Sequence, residues 1–220
     1  MVIKSRCLEQ IGEYAFFGCT SLREVQLAPC PLDVLEAAVF SGCKNLESLI
    51  LPENLREIRE EAFKGSGLTE CVLPSGVQKI GRNAFAFTPM VRVELPEGLS
   101  VLEKGCFRKT WLKEIVIPVS VEALPEDAFA DCRYLEQIRN GGSIKQIGPG
   151  AFSECEKLKT VEVARGAVVH PNIFSDGIWI KKDVKGKERI IDQAVVIQGR
   201  TWDVVKHKAV PMCKVQFVPV

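Results

Sequence analysis

Apolar residues in this chain fall into a frame that repeats every 22 to 24 residues. Phe16, Phe40, Phe63, Phe85, Phe107, Phe129, Phe152 and Phe174 are spaced 24, 23, 22, 22, 22, 23 and 22 apart. Five residues before each stands an aliphatic: Ile11, Leu35, Ile58, Ile80, Leu102, Leu124, Ile147 and Val169. Three residues earlier again come Leu8, Leu32, Leu55, Val77, Leu99, Val121 and Ile144. A small residue precedes most of the phenylalanines (Ala15, Ala62, Ala84, Cys106, Ala128, Ala151). After each Phe but the last a second apolar set follows, at Leu22, Leu46, Leu68, Met90, Leu112, Leu135 and Leu158. The unit therefore reads L-x-x-I-x-x-x-A-F, a short connection, then L-x-x-V-x-L. Self-similarity at this period predicts a stacked repeat architecture.

Within the unit, V-x-L alternates inward and outward, so it predicts a short strand. Proline follows it in four copies (Pro52, Pro74, Pro96, Pro118) and stops the ladder, because proline has no N–H to donate. The A-F segment predicts a turn of helix or 3₁₀ behind the strand, and L-x-x-I a second extended stretch on the opposite face. One such unit cannot bury its apolar edge. Stacked units bury it against their neighbours and should align the phenylalanines in one internal column.

The outward strand positions are Glu24/Gln26, Ser48/Ile50, Glu70/Val72, Arg92/Glu94, Glu114/Val116, Gln137/Arg139 and Thr160/Glu162. Most are polar, as a solvated face requires. Ile50, Val72 and Val116 are not, and an apolar patch with a charged rim suits a protein contact. Strand propensity alone would also place Ile and Val there. Few aromatics lie outside the Phe column. Trp111, in the turn before Leu112, and Phe17 and Phe87, beside the helical turn, are expected to pack between coils rather than stand exposed as anchors.

The last 46 residues leave the frame. Ile178-Trp179-Ile180 and Arg189-Ile190-Ile191 flank a turn at 183–187 and predict a hairpin. Ala194 to Ile197 and Val215 to Val218 predict further strands. The expected organisation is a repeat solenoid over residues 1–174 and a β-rich cap over 175–220, since terminal repeats need covering.

Charge and composition narrow the function. Basic and acidic residues number 29 and 28, a net +1, so the chain is not a general nucleic-acid binder. Residues 175–220 carry nine Lys/Arg against five Asp/Glu, which a solvated hairpin explains. No apolar run reaches the length of a membrane span, and Met1 to Arg6 show no leader-like apolar stretch. Of nine cysteines, Cys19, Cys43, Cys132 and Cys155 share one repeat position, three residues after a Phe. Ser66, Thr88 and Thr110 hold that place in other copies, so it is expected to be a buried turn whose side chains satisfy backbone groups of neighbouring coils. Cys71 and Cys106 replace inward residues and should lie in the core. Cys7 and Cys30 flank the first turns and are a weak candidate for a disulfide, and Cys213 is expected to be a free, exposed thiol. With two histidines and no C-x-x-C, no metal or other cofactor is expected. His170, beside Pro171, reads as a turn residue. No phosphate loop, dinucleotide fingerprint, metalloprotease helix or nucleophile elbow occurs, so no catalytic residues are assigned.

The frame resembles the BspA-like, or treponemal, class of leucine-rich repeats. The resemblance is carried by Leu55, Ile58, Ala62 and Phe63, by Cys132, Leu135 and Ile138, and by Leu112, Ile115 and Ile117 followed by Pro118. It covers roughly residues 7–174. It implies an α/β repeat solenoid, a right-handed superhelix with a parallel sheet on its concave face. It also implies protein binding or adhesion, often at a microbial surface, and no catalytic residues. Ile50, Val72, Arg92, Glu94, Val116 and Arg139 are the expected concave-face contacts, and a host or extracellular-matrix protein is the partner class implied. Cell-surface, secreted or periplasmic placement is implied too, although the thiol content leans towards a reducing compartment. Two other readings stand beside this one. The chain could assemble with itself through its first coil, or bind carbohydrate. The strand face carries no aromatics, which counts against the latter.

Overall fold

The computed structural model describes residues 8–140, 142–170 and 172–174 in full. It gives the backbone alone of strands Gly177–Lys182, Glu188–Ile191, Val195–Val196, Trp202–Lys206 and Cys213–Pro219. Each coil contributes two strands. The V-x-L segments form one row: Glu24–Gln26, Ser48–Ile50, Glu70–Val72, Arg92–Glu94, Glu114–Val116, Gln137–Arg139 and Thr160–Val163. The L-x-x-I segments form a second row of two-residue strands: Val34–Leu35, Glu57–Ile58, Lys79–Ile80, Val101–Leu102, Ala123–Leu124, Gln146–Ile147 and Val168–Val169. Where strands within a row pair, they run parallel and keep the frame, as in Glu24↔Ser48, Glu57↔Lys79 and Glu114↔Gln137. The molecule is a parallel β-solenoid.

The phenylalanines stack between the rows. From Phe16 to Phe129 successive ring centroids lie 5.3–5.7 Å apart with interplanar angles of 4–11°. The column loosens towards its end, with 6.4 Å and 17° at Phe129–Phe152 and a 41° tilt at Phe152–Phe174. Phe40 to Phe152 have no solvent exposure, while Phe16 is half-buried. The inward aliphatics of every coil join these rings in one continuous core.

No helix occurs among the described residues, which corrects the α/β expectation. The reason lies in the turn around each Phe. The residue two before it is left-handed in all seven coils (Tyr14, Ala38, Glu61, Asn83, Gly105, Asp127, Gly150), with φ of 52–66°. So is the residue two after it (Gly18, Gly42, Gly65, Phe87, Lys109, Asp131, Glu154), with φ of 55–73°. A right-handed helix cannot propagate through such residues. Their alternation instead turns the N–H groups towards the next coil. Glu61, Phe63 and Gly65 donate to the carbonyls of Arg82, Ala84 and Ala86, and Asn83, Phe85 and Phe87 donate to those of Lys104, Cys106 and Arg108. Short i to i−3 bonds, such as Ser66 N–H to Phe63 O, only round the corners. The turn side of the stack is thus a third ladder between coils.

The two strand rows are interrupted. In the short row, Arg59, Gly81, Glu103 and Gly148 each donate an N–H to the preceding coil. Pro125 occupies that place after Leu124 and has no N–H, and the row breaks there, between Val101–Leu102 and Ala123–Leu124. The long row breaks twice, between Ser48–Ile50 and Glu70–Val72 and between Arg92–Glu94 and Glu114–Val116. Leu49 and Val93, the inward residues just before each break, are only half-buried, unlike Val25, Cys71, Ile115, Ile138 and Val161.

The carboxy-terminal strands join both rows. Cys213–Pro219 extends the long row beyond Thr160–Val163 in parallel, with Thr160 opposite Gln216. Trp202–Lys206, Gly177–Lys182 and Glu188–Ile191 continue it with antiparallel pairing, including the expected hairpin with Trp179 opposite Ile191. Val195–Val196 pairs antiparallel with Val168–Val169 at the end of the short row.

Candidate functional site

The outer positions of the long strand row form the candidate surface. Their exposure follows from the pleat: Val25, Cys71, Ile115 and Ile138 point into the core, so their chain neighbours point out. Ile50, Val72 and Val116 are 46%, 67% and 62% exposed, which is high for aliphatic side chains. The strand register places Gln26 beside Ile50, Val72 beside Glu94, and Val116 beside Arg139. One outer row therefore runs Gln26, Ile50, Val72, Glu94, Val116, Arg139. Ile50 and Val72 occupy successive strands of this row, across a break in the ladder. The charges on the face are largely matched among themselves. Arg92 Nη2 lies 2.6 Å from Glu94 Oε1, and Arg139 Nη2 lies 3.6 Å from Glu114 Oε2 and donates to Gln137 Oε1 at 3.3 Å.

The second break in the row opens a groove of about 580 Å³ between Arg92–Glu94 and Glu114–Val116. Val93, Leu95 and Ile115 give it an apolar floor, and Arg92, Glu94, Lys113 and Val116 stand around its mouth. Three of the six residues expected from sequence, Arg92, Glu94 and Val116, therefore line one cavity. Arg139 adjoins it through Val116, while Ile50 and Val72 lie farther along the row. Sequence reasoning did not find the groove, because inward and outward alternation is identical in coils with and without a paired neighbour.

The non-column aromatics overturn their expected burial. Phe17, Phe87 and Trp111 are 58%, 45% and 53% exposed, and Tyr134 is 44% exposed. Trp111 meets Tyr134 edge-on at 6.4 Å, Lys109 Nζ lies 5.3 Å from the Phe87 ring centre, and Lys157 Nζ lies 5.2 Å from that of Tyr134. Phe17 lies within its turn beside Tyr14, at 5.9 Å, whereas Phe87, Trp111 and Tyr134 lie at the corner where the turn runs on towards the long strand. There the column Phe and the inward Leu already fill the interior, so a further ring has nowhere to go but out. Beside this corner, Lys159 bonds Glu136 and holds its carboxyl below the usual range, with Lys157 and Lys113 adding to the effect from farther off.

Other candidates resolve as structural. His170 Nδ1 accepts the N–H of Asn172 at 3.1 Å, a turn contact. The cysteines at the shared repeat position behave as expected where a coil precedes them. The thiols of Cys43, Cys132 and Cys155 donate to Phe16 O, Phe107 O and Phe129 O at 2.9–3.1 Å. Thr88 and Thr110 donate instead to Phe85 O and Phe107 O of their own coils. Ser66 is buried with its hydroxyl unbonded, against the expectation for that place. Cys19, on the first described coil, is exposed. Cys71 and Cys106 lie in the core. Cys7, the Cys213 side chain and the turn at 183–187 fall outside the described residues.

A model of the BspA type leucine rich repeat region matches this chain in six copies, over residues 2–110 and 56–178. Among solved structures, the chain is similar to the leucine rich repeat protein TpLRR of T. pallidum. The two are 31% identical with a TM-score of 0.62, and the match covers 68% of this chain and 71% of that one. A leucine-rich repeat protein from Bacteroides ovatus is 28% identical over 74% of this chain and 54% of its own, with a TM-score of 0.42. No curated protein matches. With the repeat, the Phe stack, the family model and the likeness to TpLRR together, the chain belongs to the BspA-type leucine-rich repeat family.

Proposed function

We propose that the chain is a non-enzymatic scaffold that binds a protein partner through the outer positions of its long strand row. The observation that carries this reading is the exposure of Ile50, Val72 and Val116 on a face where Arg92 pairs with Glu94 and Arg139 with Glu114. Such a face gains little from further ion pairs, and apolar burial is what it has to offer. Leucine-rich repeat proteins generally serve as interaction scaffolds. A host or extracellular-matrix protein is the partner class that this family suggests. The carboxy-terminal strands, from residue 175 on, would then act as the cap that keeps the end of the solenoid from pairing with other chains.

The test is capture of partners from the native cell and its host material by the wild type and by Ile50→Arg/Val72→Arg/Val116→Arg. All three side chains face solvent, so the variant should keep its circular dichroism and melting profile. A partner held by the wild type and lost by the variant supports strand-face recognition. Equal retention by both proteins removes the site from this face. The alternative of self-assembly through the first coil predicts a concentration-dependent size that changes between Leu8 and Leu32 abolish, and ultracentrifugation distinguishes it.

A further inference from the structure

The corner between turn and strand on the central coils carries a second surface, which meets the strand-face groove at Lys113. Phe87, Trp111 and Tyr134 stand exposed there, interleaved with Lys109, Lys113 and Lys157. Ion pairs are abundant along this stack. Arg108 pairs with Asp131 at 3.2 Å, Arg139 with Glu114 at 3.6 Å, Arg133 with Glu156 at 3.9 Å and Lys159 with Glu136 at 2.5 Å. The acidic residues bordering the corner are thereby engaged. Lys109, Lys113 and Lys157 have no ion-pair partner among the described residues; Lys109 and Lys157 lie over rings instead. The corner thus combines exposed aromatic area with three lysines that form no ion pair, two of which lie near enough to Glu136 to act on its carboxylate. Tryptophan and tyrosine supply large contact area at small entropic cost, and unmatched charge selects a ligand of opposite sign.

We infer that this corner binds an acidic, aromatic-bearing segment of a partner protein, with Trp111 and Tyr134 as the apolar anchors and Lys109, Lys113 and Lys157 as the anion contacts. The segment needs carboxylates to meet the lysines and rings or aliphatic side chains to cover the indole and phenol. Lys113 also stands at the mouth of the strand-face groove, but Trp111, Tyr134, Lys109 and Lys157 do not line it, so the anchors of this site are distinct from Ile50, Val72 and Val116.

The experiment uses the full chain labelled with ¹⁵N. Its three tryptophans give separate indole N–H signals, and Trp111→Phe assigns the relevant one. The probe is a random copolymer of glutamate and tyrosine, titrated at low and at high salt, with chondroitin sulfate as a second arm. The expected result is a saturable shift of the Trp111 signal with the copolymer, weakened by salt. Binding should be about tenfold or more weaker in Lys109→Glu/Lys113→Glu/Lys157→Glu, weaker in Trp111→Ala, and unchanged in the charge-neutral Ile50→Thr/Val72→Thr/Val116→Thr. Trp111→Ala alters one exposed side chain and guards against misfolding of the charge-reversed protein. The inference is overturned if the copolymer leaves the Trp111 signal unmoved, if the charge-reversed protein binds equally, or if chondroitin sulfate binds more tightly than the copolymer.

Discussion

Asn140 shows how one residue can depart from the repeat and still be accommodated. It occupies the inward position held by Leu51, Leu73, Leu95 and Ile117 in other coils, and it is 1% exposed. A buried amide there would be costly if unbonded. Its Nδ2 donates to the carbonyls of Ile117 and Pro118, both at 3.1 Å. Its Oδ1 accepts the N–H groups of Ser143 and Ile144 and the Ser143 hydroxyl at 2.6–2.8 Å. The side chain closes the loop that a proline begins in the earlier coils. Asn140→Ala should therefore cost about 2–3 kcal/mol, because it strands several buried backbone groups. Urea denaturation measures this, and a loss below about 0.5 kcal/mol would show that water replaces the amide.

At the scale of the turn, the cysteines act as neutral, weakly bonding core groups. Burial pushes the Cys71 thiol up to about 12 and raises that of Cys106 as well. Burial likewise pushes Cys132 up to about 11, against the opposing effect of its bond to Thr110. A thiol in the unfolded chain titrates near 8.5. These groups hold the proton more tightly when folded, so their contribution to stability is complete below about pH 8.5. It is lost progressively as pH rises towards 11–12, where the folded thiols ionise. The urea midpoint should fall between pH 8 and pH 11, and Cys71→Val/Cys106→Ala should flatten that fall. Identical slopes in the two proteins would assign alkaline weakening to other groups. The left-handed turn residues belong to the same scale. Non-glycine residues such as Ala38, Glu61 and Asn83 hold φ near 50–60° because three inter-coil hydrogen bonds per turn depend on it. Eight of the fourteen places hold Gly, Asn or Asp, which favour that backbone, but Tyr14, Ala38, Glu61, Phe87, Lys109 and Glu154 carry no such mark, and the sequence read as a helical turn.

For the whole molecule, stability is distributed along the stack, since each coil touches only its neighbours. A central ring has a partner on both sides, whereas Phe16 has one described neighbour and is half-buried. Phe85→Ala should cost about 3–5 kcal/mol and Phe16→Ala about 1–2 kcal/mol. Thermal or urea unfolding separates the two, and equal losses would contradict a column whose strength depends on position. The two proposed partner-binding surfaces also belong to this scale, because both draw residues from successive coils.

Spacing within the unit was enough to establish which residues point inward. The fixed period aligned Phe40 to Phe152 in one buried column, and the V-x-L alternation placed Ile50, Val72 and Val116 outside, because both depend only on distances along the chain. What lies between coils was a matter for the tertiary structure. The break at Pro125 has a visible cause in sequence, yet the groove between Arg92–Glu94 and Glu114–Val116 sits one step away, at a boundary that no residue marks. The meeting of Trp111 with Tyr134, 23 residues apart, and the unmatched lysines around them likewise depend on how adjacent coils sit against one another. That arrangement is set by backbone bonds between coils, which every residue type supplies alike. The repeat therefore determined the core from sequence alone, and the packing of one coil on the next decided the groove and the exposed aromatic corner.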